Sequence, residues 1–154
     1  GPNLRASGID WDLRRDEPYS VYPDLEFDVP VGNSEYGVVG DCYTRYWIRI
    51  LEMEQSARIL RQCIDKIPEG PYWNRTKKRL KVPEGEIYMR TEAPRGELGF
   101  YLISRGGNKP YRLKIRTGSF SAMSIVEKVA AGLMVADLVA LIASLDVVAP
   151  EVDR

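Results

Sequence analysis

The stretch Glu86-Ile-Tyr-Met-Arg-Thr-Glu-Ala-Pro-Arg-Gly-Glu-Leu-Gly-Phe100 decides the fold of this chain. Apolar and polar residues alternate on both sides of a turn that contains Pro94 and Gly96, and alternation with a period of two is typical of β-strands. A third alternating segment, Tyr111–Arg116, follows the turn Arg105–Asn108, which predicts antiparallel pairing. The residues predicted to share one apolar face of the sheet are Ile87 and Met89, then Leu98, Phe100 and Leu102, then Tyr111, Leu113 and Ile115.

Long helices are predicted on both sides of this sheet. Apolar residues repeat at spacings of three and four from Cys42 to Ile67, and Asp41 offers an N-cap for that helix. After the sheet, the almost wholly apolar run Val129–Leu145 contains one acid, Asp137. This run is slightly short for a membrane span, so it is predicted to be a helix buried in a protein core. The predicted fold class is α+β, with long helices packed with a small three-stranded antiparallel sheet.

The predicted organisation follows these segments. Residues 1–40 form an extended, turn-rich entry with a short strand near Glu26–Val31, residues 41–67 form the long helix, and residues 86–116 form the strands. Residues 121–154 form a helical C-terminal part, which Ser121 or Ser124 can cap. A helix that is apolar on most sides needs neighbours on most sides, and this chain offers few. We therefore expect the chain to be a fragment of a larger unit, with residues 1–154 belonging to one piece.

The composition excludes several classes of function. The chain has 22 basic and 22 acidic residues, so the electrostatic footprint of a nucleic-acid-binding protein is absent. It has no histidine and only two cysteines, Cys42 and Cys63. Both lie in the predicted long helix, roughly 30 Å apart at 1.5 Å per residue, too far for a disulfide or a shared metal ion. We predict no metal site in this chain and expect both thiols to be small buried side chains.

Two segments stand out as candidate sites, although each also has an ordinary structural interpretation. The turn between the first two strands projects Arg95, which could equally be a surface residue of a polar loop. The C-terminal segment carries Asp146, Asp153 and Arg154 after a long apolar run. Asp146 could be a stray acid at a helix end, or an acid that is held in a pocket, since aspartate is rarely buried without a partner. Spacing alone leaves both alternatives open.

Six blocks of the sequence carry a resemblance to a known family. They are Gly1-Pro-Asn-Leu-Arg-Ala-Ser-Gly-Ile-Asp-Trp-Asp-Leu-Arg14, Glu86–Phe100, Gly107-Asn-Lys-Pro-Tyr-Arg-Leu-Lys-Ile-Arg116, Ala136-Asp-Leu-Val-Ala140, Ser144-Leu-Asp-Val-Val148 and Glu151-Val-Asp-Arg154. With these blocks the chain closely resembles, over essentially its whole length, the C-terminal part of the D-type subunit of the proton-pumping NADH:quinone oxidoreductases, respiratory complex I. This type of subunit is related to the large subunit of nickel–iron hydrogenases.

The hydrogenase relationship implies a metal pocket that has changed its use. The hydrogenase pattern ends in Asp-Pro-Cys-x-x-Cys-x-x-His, and alignment on Asp146 places Val148 and Glu151 at the cysteine positions and Arg154 at the histidine position. None of these three side chains can bind nickel as a thiolate or an imidazole would. In complex I the substrate is quinone, and the Ala-Pro-Arg-Gly turn matches the hydrogenase motif that directs an arginine at the metal pocket.

The resemblance therefore implies roles in a quinone site. Arg95 would stabilise the negative charge that reduction places on a quinone oxygen. Asp146, expected to be a buried carboxylate, would relay a proton. Val148 would line the cavity with apolar surface, and Asp153 and Arg154 would orient and pair groups at its mouth.

The resemblance also implies partners. FMN and iron–sulfur clusters would lie in other subunits, and the neighbours would be an iron–sulfur cluster subunit, a C-type subunit and the membrane arm. As part of a membrane complex, this chain would lie peripherally on the cytoplasmic side of the inner (cell) membrane. It would be inactive alone because the family's quinone-contacting His and Tyr belong to the N-terminal half. The alternatives are a purely structural docking segment of the same complex, and a relative of energy-converting hydrogenases, which the missing Cys and His ligands oppose.

Overall fold

A computed structural model of the chain describes residues 1–35, 37–75 and 81–153. It confirms the α+β class with a three-stranded antiparallel sheet. The strands are β1 (Gly85–Ala93), β2 (Gly96–Ser104) and β3 (Arg112–Arg116). The helices are α1 (Pro2–Ala6), α2 (Leu13–Asp16), α3 (Cys42–Lys66), α4 (Gly118–Met123), α5 (Val126–Val129), α6 (Val135–Leu145) and α7 (Ala149–Asp153), with a 3₁₀ turn at Tyr22–Asp24.

The sheet has the strand order β1-β2-β3, and its register agrees with the predicted apolar face. Met89 lies opposite Phe100, which in turn lies opposite Ile115. The strands extend further than the sequence indicates, because Ala93 pairs with Gly96. The connection between β1 and β2 is therefore a turn with only Pro94 and Arg95 between the paired residues, which leaves Arg95 little freedom to move away from the sheet.

Helix α3 begins where the sequence predicts, because the carboxylate of Asp41 accepts a hydrogen bond from the Thr44 amide at 2.6 Å. Its buried residues, however, are Thr44 and Ile48. Much of the apolar stripe that predicts the helix is exposed in the described chain. Its large exposed members are Tyr43, Tyr46, Met53, Leu60, Ile64 and Ile67.

The prediction of one helix over residues 129–145 is wrong. Gly132 adopts a φ of +84°, and the chain is non-helical between the end of α5 and the start of α6. Asp137 is not buried but lies in the first turn of α6, where its carboxylate accepts the Met134 amide at 3.2 Å. The predicted caps are wrong as well, because Thr117 caps α4 by accepting the Phe120 amide at 3.3 Å.

The strand predicted near Glu26–Val31 is also wrong, because these residues pair with no other strand. Their backbone is satisfied by glutamine side chains of α3 instead. Gln62 accepts the Glu26 amide at 2.9 Å and donates to its carbonyl at 2.6 Å, and Gln55 accepts the Asp28 amide at 3.0 Å. Side chains on a helix thus replace the neighbouring strand that an extended segment needs.

The apolar core of the described chain is small. Ala122, Leu141 and Leu145 form a buried cluster between α4 and α6, and many large apolar residues remain exposed. Neither cysteine matches the expected burial, since Cys42 is exposed and Cys63 is half-buried. Among the described residues, no helix combines the length and the apolar character that crossing a membrane requires.

Candidate functional site

The turn between β1 and β2 meets the end of α6 through Arg95 and Asp146. Arg95 donates a hydrogen bond from Nε to the main-chain oxygen of Asp146 at 3.1 Å, and its Nη2 lies 3.5 Å from the Asp146 carboxylate. The structure therefore brings together the arginine and the acid that the sequence predicts as the two catalytic residues. Their chemical roles remain predictions.

Local backbone geometry explains why both residues stand where they do. Gly96, directly after Arg95, has a φ of +124°, a conformation that side chains rarely adopt. Asp146 ends α6 in the left-handed conformation, with φ and ψ both at 53°. Aspartate tolerates this conformation better than most residues, so the backbone projects its carboxylate out of the helix.

Arg49 of α3 is a second arginine at Asp146, and the sequence patterns do not point to it. Its Nη1 donates to the Ser144 carbonyl at 2.7 Å and its Nη2 to the Leu145 carbonyl at 3.1 Å. Its Nε lies 3.8 Å from the other oxygen of the Asp146 carboxylate. Burial is the main reason why the pKa of Arg49 is lowered, while the charge of Asp146 opposes that shift. The carboxylate of Asp146 thus lies between two guanidinium groups.

Arg45, one helical turn before Arg49, strengthens the same contact. Its Nε and Nη2 donate to the Ser144 hydroxyl at 3.0 and 2.8 Å, and that hydroxyl donates to the Leu141 carbonyl at 2.7 Å. The spacing of four residues could have revealed the two arginines as neighbours on one helix face, but nothing in the sequence indicates what that face contacts.

The sequence predicts a buried carboxylate at Asp146, whereas its side chain is 40 % exposed in this chain. The Arg95 side chain is 32 % exposed. In the described part of the chain, water therefore reaches both side chains. Other parts of the protein or partner subunits would have to cover this site to exclude water from it.

Two cavities meet at Asp146. The first, called the charged cleft here, has a volume of about 400 Å³, and the second, called the apolar groove, runs between α3 and α6 with a volume of about 630 Å³. Arg49, Met53 and Asp146 line both of them. The charged cleft is otherwise lined mainly by Arg5, Arg14, Glu52, Glu92 and Pro94. The apolar groove is otherwise lined mainly by Tyr43, Tyr46, Ile50, Ala140 and Ala143.

A buried cluster of charges forms the floor of the charged cleft. Arg5 is 1 % exposed, and its guanidinium binds Glu52 at 2.7 Å, Glu92 at 2.8 Å and Asp12 at 3.2 Å. Arg14 pairs with Asp12 at 2.6 Å. The cluster joins α1 and α2 to α3 and β1, so it fixes the strand that leads into the Arg95 turn.

The pKa values of Glu52 and Asp12 in this cluster are shifted in opposite directions. Burial raises the pKa of Glu52, although the charge of Arg5 opposes the shift. Burial also acts to raise the pKa of Asp12, but hydrogen bonds and charge from Arg14 and Arg5 outweigh it and lower that pKa below its usual value. The sequence gives no sign of this cluster, because the pattern of residues 1–40 predicts only an extended, turn-rich segment.

The other predicted pocket residues lie apart from these cavities. The Val148 amide donates to the Ser119 hydroxyl at 3.3 Å, and Asp153 is exposed. Val148 and Asp153 line neither the charged cleft nor the apolar groove as the described residues form them. Arg95 does not line them either, but lines a separate cavity of about 300 Å³. Arg154 lies outside the described residues. The roles of these three residues in a quinone pocket stay predictions.

Glu151, which the resemblance aligns with a metal-binding cysteine of the hydrogenases, contacts α4. The Glu151 main-chain oxygen accepts a hydrogen bond from the Thr117 hydroxyl at 2.9 Å, and its carboxylate accepts one from the Ser119 hydroxyl. These bonds attach α7 to α4. In residues 1–35, 37–75 and 81–153, no three His, Cys, Asp or Glu side chains are grouped so that they could hold a metal ion.

The family comparison covers the chain from end to end. The model of the family described as "Respiratory-chain NADH dehydrogenase, 49 Kd subunit" matches residues 1–81 and 73–154. The chain belongs to this 49-kDa subunit family.

Its relatives include D-type subunits of bacterial NADH-quinone oxidoreductases. The second such subunit of Anaeromyxobacter dehalogenans (strain 2CP-C) is 56% identical over 154 residues. The corresponding subunit of Chlorobaculum tepidum is 49% identical over 158 residues. The chain is covered completely in both comparisons but spans only 41% and 40% of the length of these relatives.

A solved structure shares the architecture of this 49-kDa family chain. It is described as the structure of the membrane-bound sulfane sulfur reductase, an archaeal respiratory membrane complex. One of its chains is 40% identical with a TM-score of 0.87, and the match covers 100% of this chain and 42% of that one. The fold is therefore found in respiratory complexes whose names state different electron acceptors.

Proposed function

We propose that this chain forms part of the quinone-reduction site of a proton-translocating respiratory NADH:quinone oxidoreductase, with Arg95 and Asp146 as its reacting groups. One observation carries the proposal. Arg95 contacts Asp146 twice, and Asp146 lines both the charged cleft and the apolar groove. The fold alone does not determine the substrate class, since the sulfane sulfur reductase shares it. We therefore take the substrate class, quinone, from the names of the relatives.

The two cavities match the two parts of a quinone. A quinone carries polar oxygens on a ring with an apolar tail, and small-molecule sites combine apolar walls with a few placed polar groups. The charged cleft offers donors for the oxygens, and the apolar groove offers aromatic and aliphatic surface for the remainder. Asp146 lines both cavities, so a ring oxygen at the boundary between them would lie beside its carboxylate.

The chemistry assigns one task to each residue. Reduction of a quinone to a quinol takes two electrons and two protons. Arg95 stabilises the negative charge that builds up on the ring oxygen, because its guanidinium stays charged and donates several hydrogen bonds. Asp146 passes one proton to that oxygen and recovers it from water, which reaches its partly exposed carboxylate. Groups outside this chain supply the second proton.

The remaining parts of the reaction belong to partners. The electrons come from an iron–sulfur cluster in a neighbouring protein of the complex, and FMN in a further one receives them from NADH. Within that assembly the chain contacts the iron–sulfur cluster subunit, a C-type subunit and the membrane arm. It is peripheral to the membrane, on its cytoplasmic side, and is inactive by itself.

The substitution Asp146→Asn in the complete complex tests this proposal. Asparagine also tolerates the left-handed conformation, so the change removes the acid and leaves the backbone in place. We expect a loss of quinone reduction of about 10²–10⁴-fold, the usual contribution of a general acid, with normal assembly of the complex. Steady-state quinone reduction and native gel electrophoresis give the two readouts.

Asp65→Asn provides the matched control, because Asp65 is an exposed aspartate near the end of α3. It should leave both activity and assembly unchanged. Normal quinone reduction by the Asp146→Asn complex would contradict the proposal. Loss of assembly in both variants would point to a general effect of charge removal instead.

A structural docking role is the second candidate, and the exposed apolar residues of α3 favour it. Tyr43, Tyr46 and Met53 line the apolar groove while remaining about half exposed or more. Apolar surface of this size usually receives a partner. The chain spans about two fifths of its relatives, so the occupant in this second candidate is an apolar segment of the same subunit outside these residues.

A photo-crosslinking amino acid at Tyr46 separates the two candidates. The docking role expects an adduct between position 46 and another part of the same subunit in the complete complex. The quinone-site role expects an adduct with an azide- or alkyne-tagged quinone that disappears when excess untagged quinone competes. The same probe at exposed Arg61, which does not line the groove, reports the background.

A further inference from the structure

We propose that Arg49 is a positioning residue for Asp146: it holds the last turn of α6 in place and gives the Asp146 carboxylate a second partner when the substrate binds Arg95. This inference rests on the proposed function. Nothing in the sequence patterns or in the comparisons points to Arg49, and the structure alone places it beside the acid.

The first part of the argument is the hold on the helix end. The last carbonyls of a helix have no partner within the helix. Arg49 donates to the carbonyls of Ser144 and Leu145, at 2.7 and 3.1 Å, the two residues directly before Asp146. The same guanidinium also donates to the Arg45 carbonyl at 2.8 Å and to the Asn3 side chain at 2.9 Å. These bonds fix the main chain from which the Asp146 carboxylate projects.

The second part concerns the nitrogen that Arg49 leaves unused. Its Nε is buried and makes no hydrogen bond with any described residue, although buried polar groups are nearly always satisfied. The nearest acid is the Asp146 carboxylate, with Oδ2 at 3.8 Å. The other oxygen, Oδ1, lies 3.5 Å from Arg95. Both distances exceed the 2.7–2.9 Å of a tight charged hydrogen bond.

The carboxylate is therefore placed between two cations without being fully bound to either. A shift of about 1 Å would bring it within hydrogen-bond distance of the Arg49 Nε. A quinone oxygen that takes up the Arg95 guanidinium frees the Asp146 side chain, which gives its proton to that oxygen, and Arg49 then receives the carboxylate that is left. Asp146 stays within reach of the ring oxygen throughout, because Arg49 holds the backbone on which it sits.

Only an arginine meets all of these requirements. Two terminal nitrogens reach two carbonyls while Nε faces the carboxylate, whereas a lysine has a single nitrogen. Arg49→Lys can therefore restore only part of the arrangement, and Arg49→Met, which keeps an unbranched apolar stem without any nitrogen, restores none. Arg61 lies on the same helix and is exposed, so Arg61→Met is the matched control.

The experiment measures assembly, kcat and KM for quinone in the complete complex. We expect Arg49→Met to assemble normally and to lose about 100-fold in kcat, the cost of a misplaced reacting group, with a small change in KM. Arg49→Lys should lie between Arg49→Met and the unchanged protein, and Arg61→Met should match the unchanged protein. Should Arg49→Met fail to assemble, Arg49→Lys decides: reduced kcat with normal assembly supports the proposal, and full kcat overturns it.

A double-mutant cycle with Asp146→Asn tests whether Arg49 acts through Asp146. Residues that act as a unit give strongly non-additive losses, so we expect Arg49→Met to cost little further once Asp146 is Asn. If the loss of activity in the double variant equals the product of the losses in the two single variants, the positioning role is overturned. Normal activity of Asp146→Asn alone would instead remove the proposed function, so the two failures are distinguishable.

Discussion

Gly118, the first residue of α4, lies so close to the turn between β1 and β2 that a β-carbon on it would stand 2.4 Å from the carbonyl oxygen of Arg95. Real β-carbons do not approach an oxygen this closely. The bare backbone of Gly118 therefore sets how near the turn can come to α4, and with it the position of the Arg95 guanidinium beside Asp146.

Gly118→Ala should displace the Arg95 turn without touching either reacting group. The added methyl group has to push backbone rather than a flexible side chain, so the turn moves by a substantial fraction of an ångström. A displacement of about 1 Å at a reacting group costs roughly 100-fold in rate, and we expect a loss approaching that size in quinone reduction by the assembled complex. Gly107→Ala is the control, because its β-carbon would meet only ordinary contacts at 3.8 Å.

Arg95 itself should be sensitive to the shape of its side chain as well as to its charge. Arg95→Gln removes the cation, and we expect a loss of about 10²–10³-fold in kcat, as for other charge-stabilising donors. Arg95→Lys keeps the charge but cannot contact the Asp146 carbonyl and carboxylate together, so its activity should fall between that of Arg95→Gln and that of the unchanged protein. Arg105→Gln changes an arginine in the other turn of the same sheet, and its activity should stay normal. Equal activity of all three variants would leave Arg95 without a role in the reaction.

The buried charge cluster should make Arg5 a determinant of stability. Arg5→Met leaves Glu52, Glu92 and Asp12 without their shared cation, and removing one partner of a buried ion pair costs about 3–5 kcal/mol. Urea unfolding of the full-length subunit measures this loss. Arg58→Met is the comparison, since Arg58 pairs with Asp28 at the surface and exposed pairs contribute at most about 1 kcal/mol. Similar urea midpoints for Arg5→Met and Arg58→Met would mean that the buried cluster contributes no more to stability than a surface ion pair.

Acid should weaken the same cluster through Asp12. Its pKa is lower in the folded chain than the ordinary aspartate value of about 3.9. Ionised Asp12 therefore stabilises the fold above that ordinary value, and the contribution is lost as the pH falls towards the lowered pKa. We expect Asp12→Asn to be less stable than the unchanged protein at pH 7, with a gap that narrows below about pH 4. Unfolding midpoints at pH 7 and pH 3.5 check this, and a gap independent of pH would refute it.

The sheet and the meeting of Arg95 with Asp146 could be anticipated from the sequence, for different reasons. The sheet follows from the alternation in Glu86–Phe100, a local pattern that tertiary contacts did not override. The approach of Arg95 to Asp146 follows from the family resemblance, because no local pattern reports which turn a helix end will face.

The features that the sequence does not reveal share a physical cause, since each depends on a contact between distant segments. Arg5 looks like an ordinary residue of a turn-rich opening, and only folding buries it against acids from α3 and β1. Gln55 and Gln62 replace a strand that the extended segment would otherwise need. Gly132 is visible in the sequence as an interruption of the apolar run, but the run continues on both sides of it and therefore does not show that the helix breaks there.

The left-handed backbone at Asp146 adds a restriction that is independent of charge. If every amino acid is tested at position 146, the stability of the variants should depend first on how well each residue tolerates the left-handed backbone. Glycine, asparagine and aspartate tolerate it, whereas β-branched residues do not. Glutamate would keep the acid yet combine a longer reach with an unfavourable φ. Selection for proton transfer and selection for backbone geometry thus converge on a single side chain, and few evolutionary routes lead away from it.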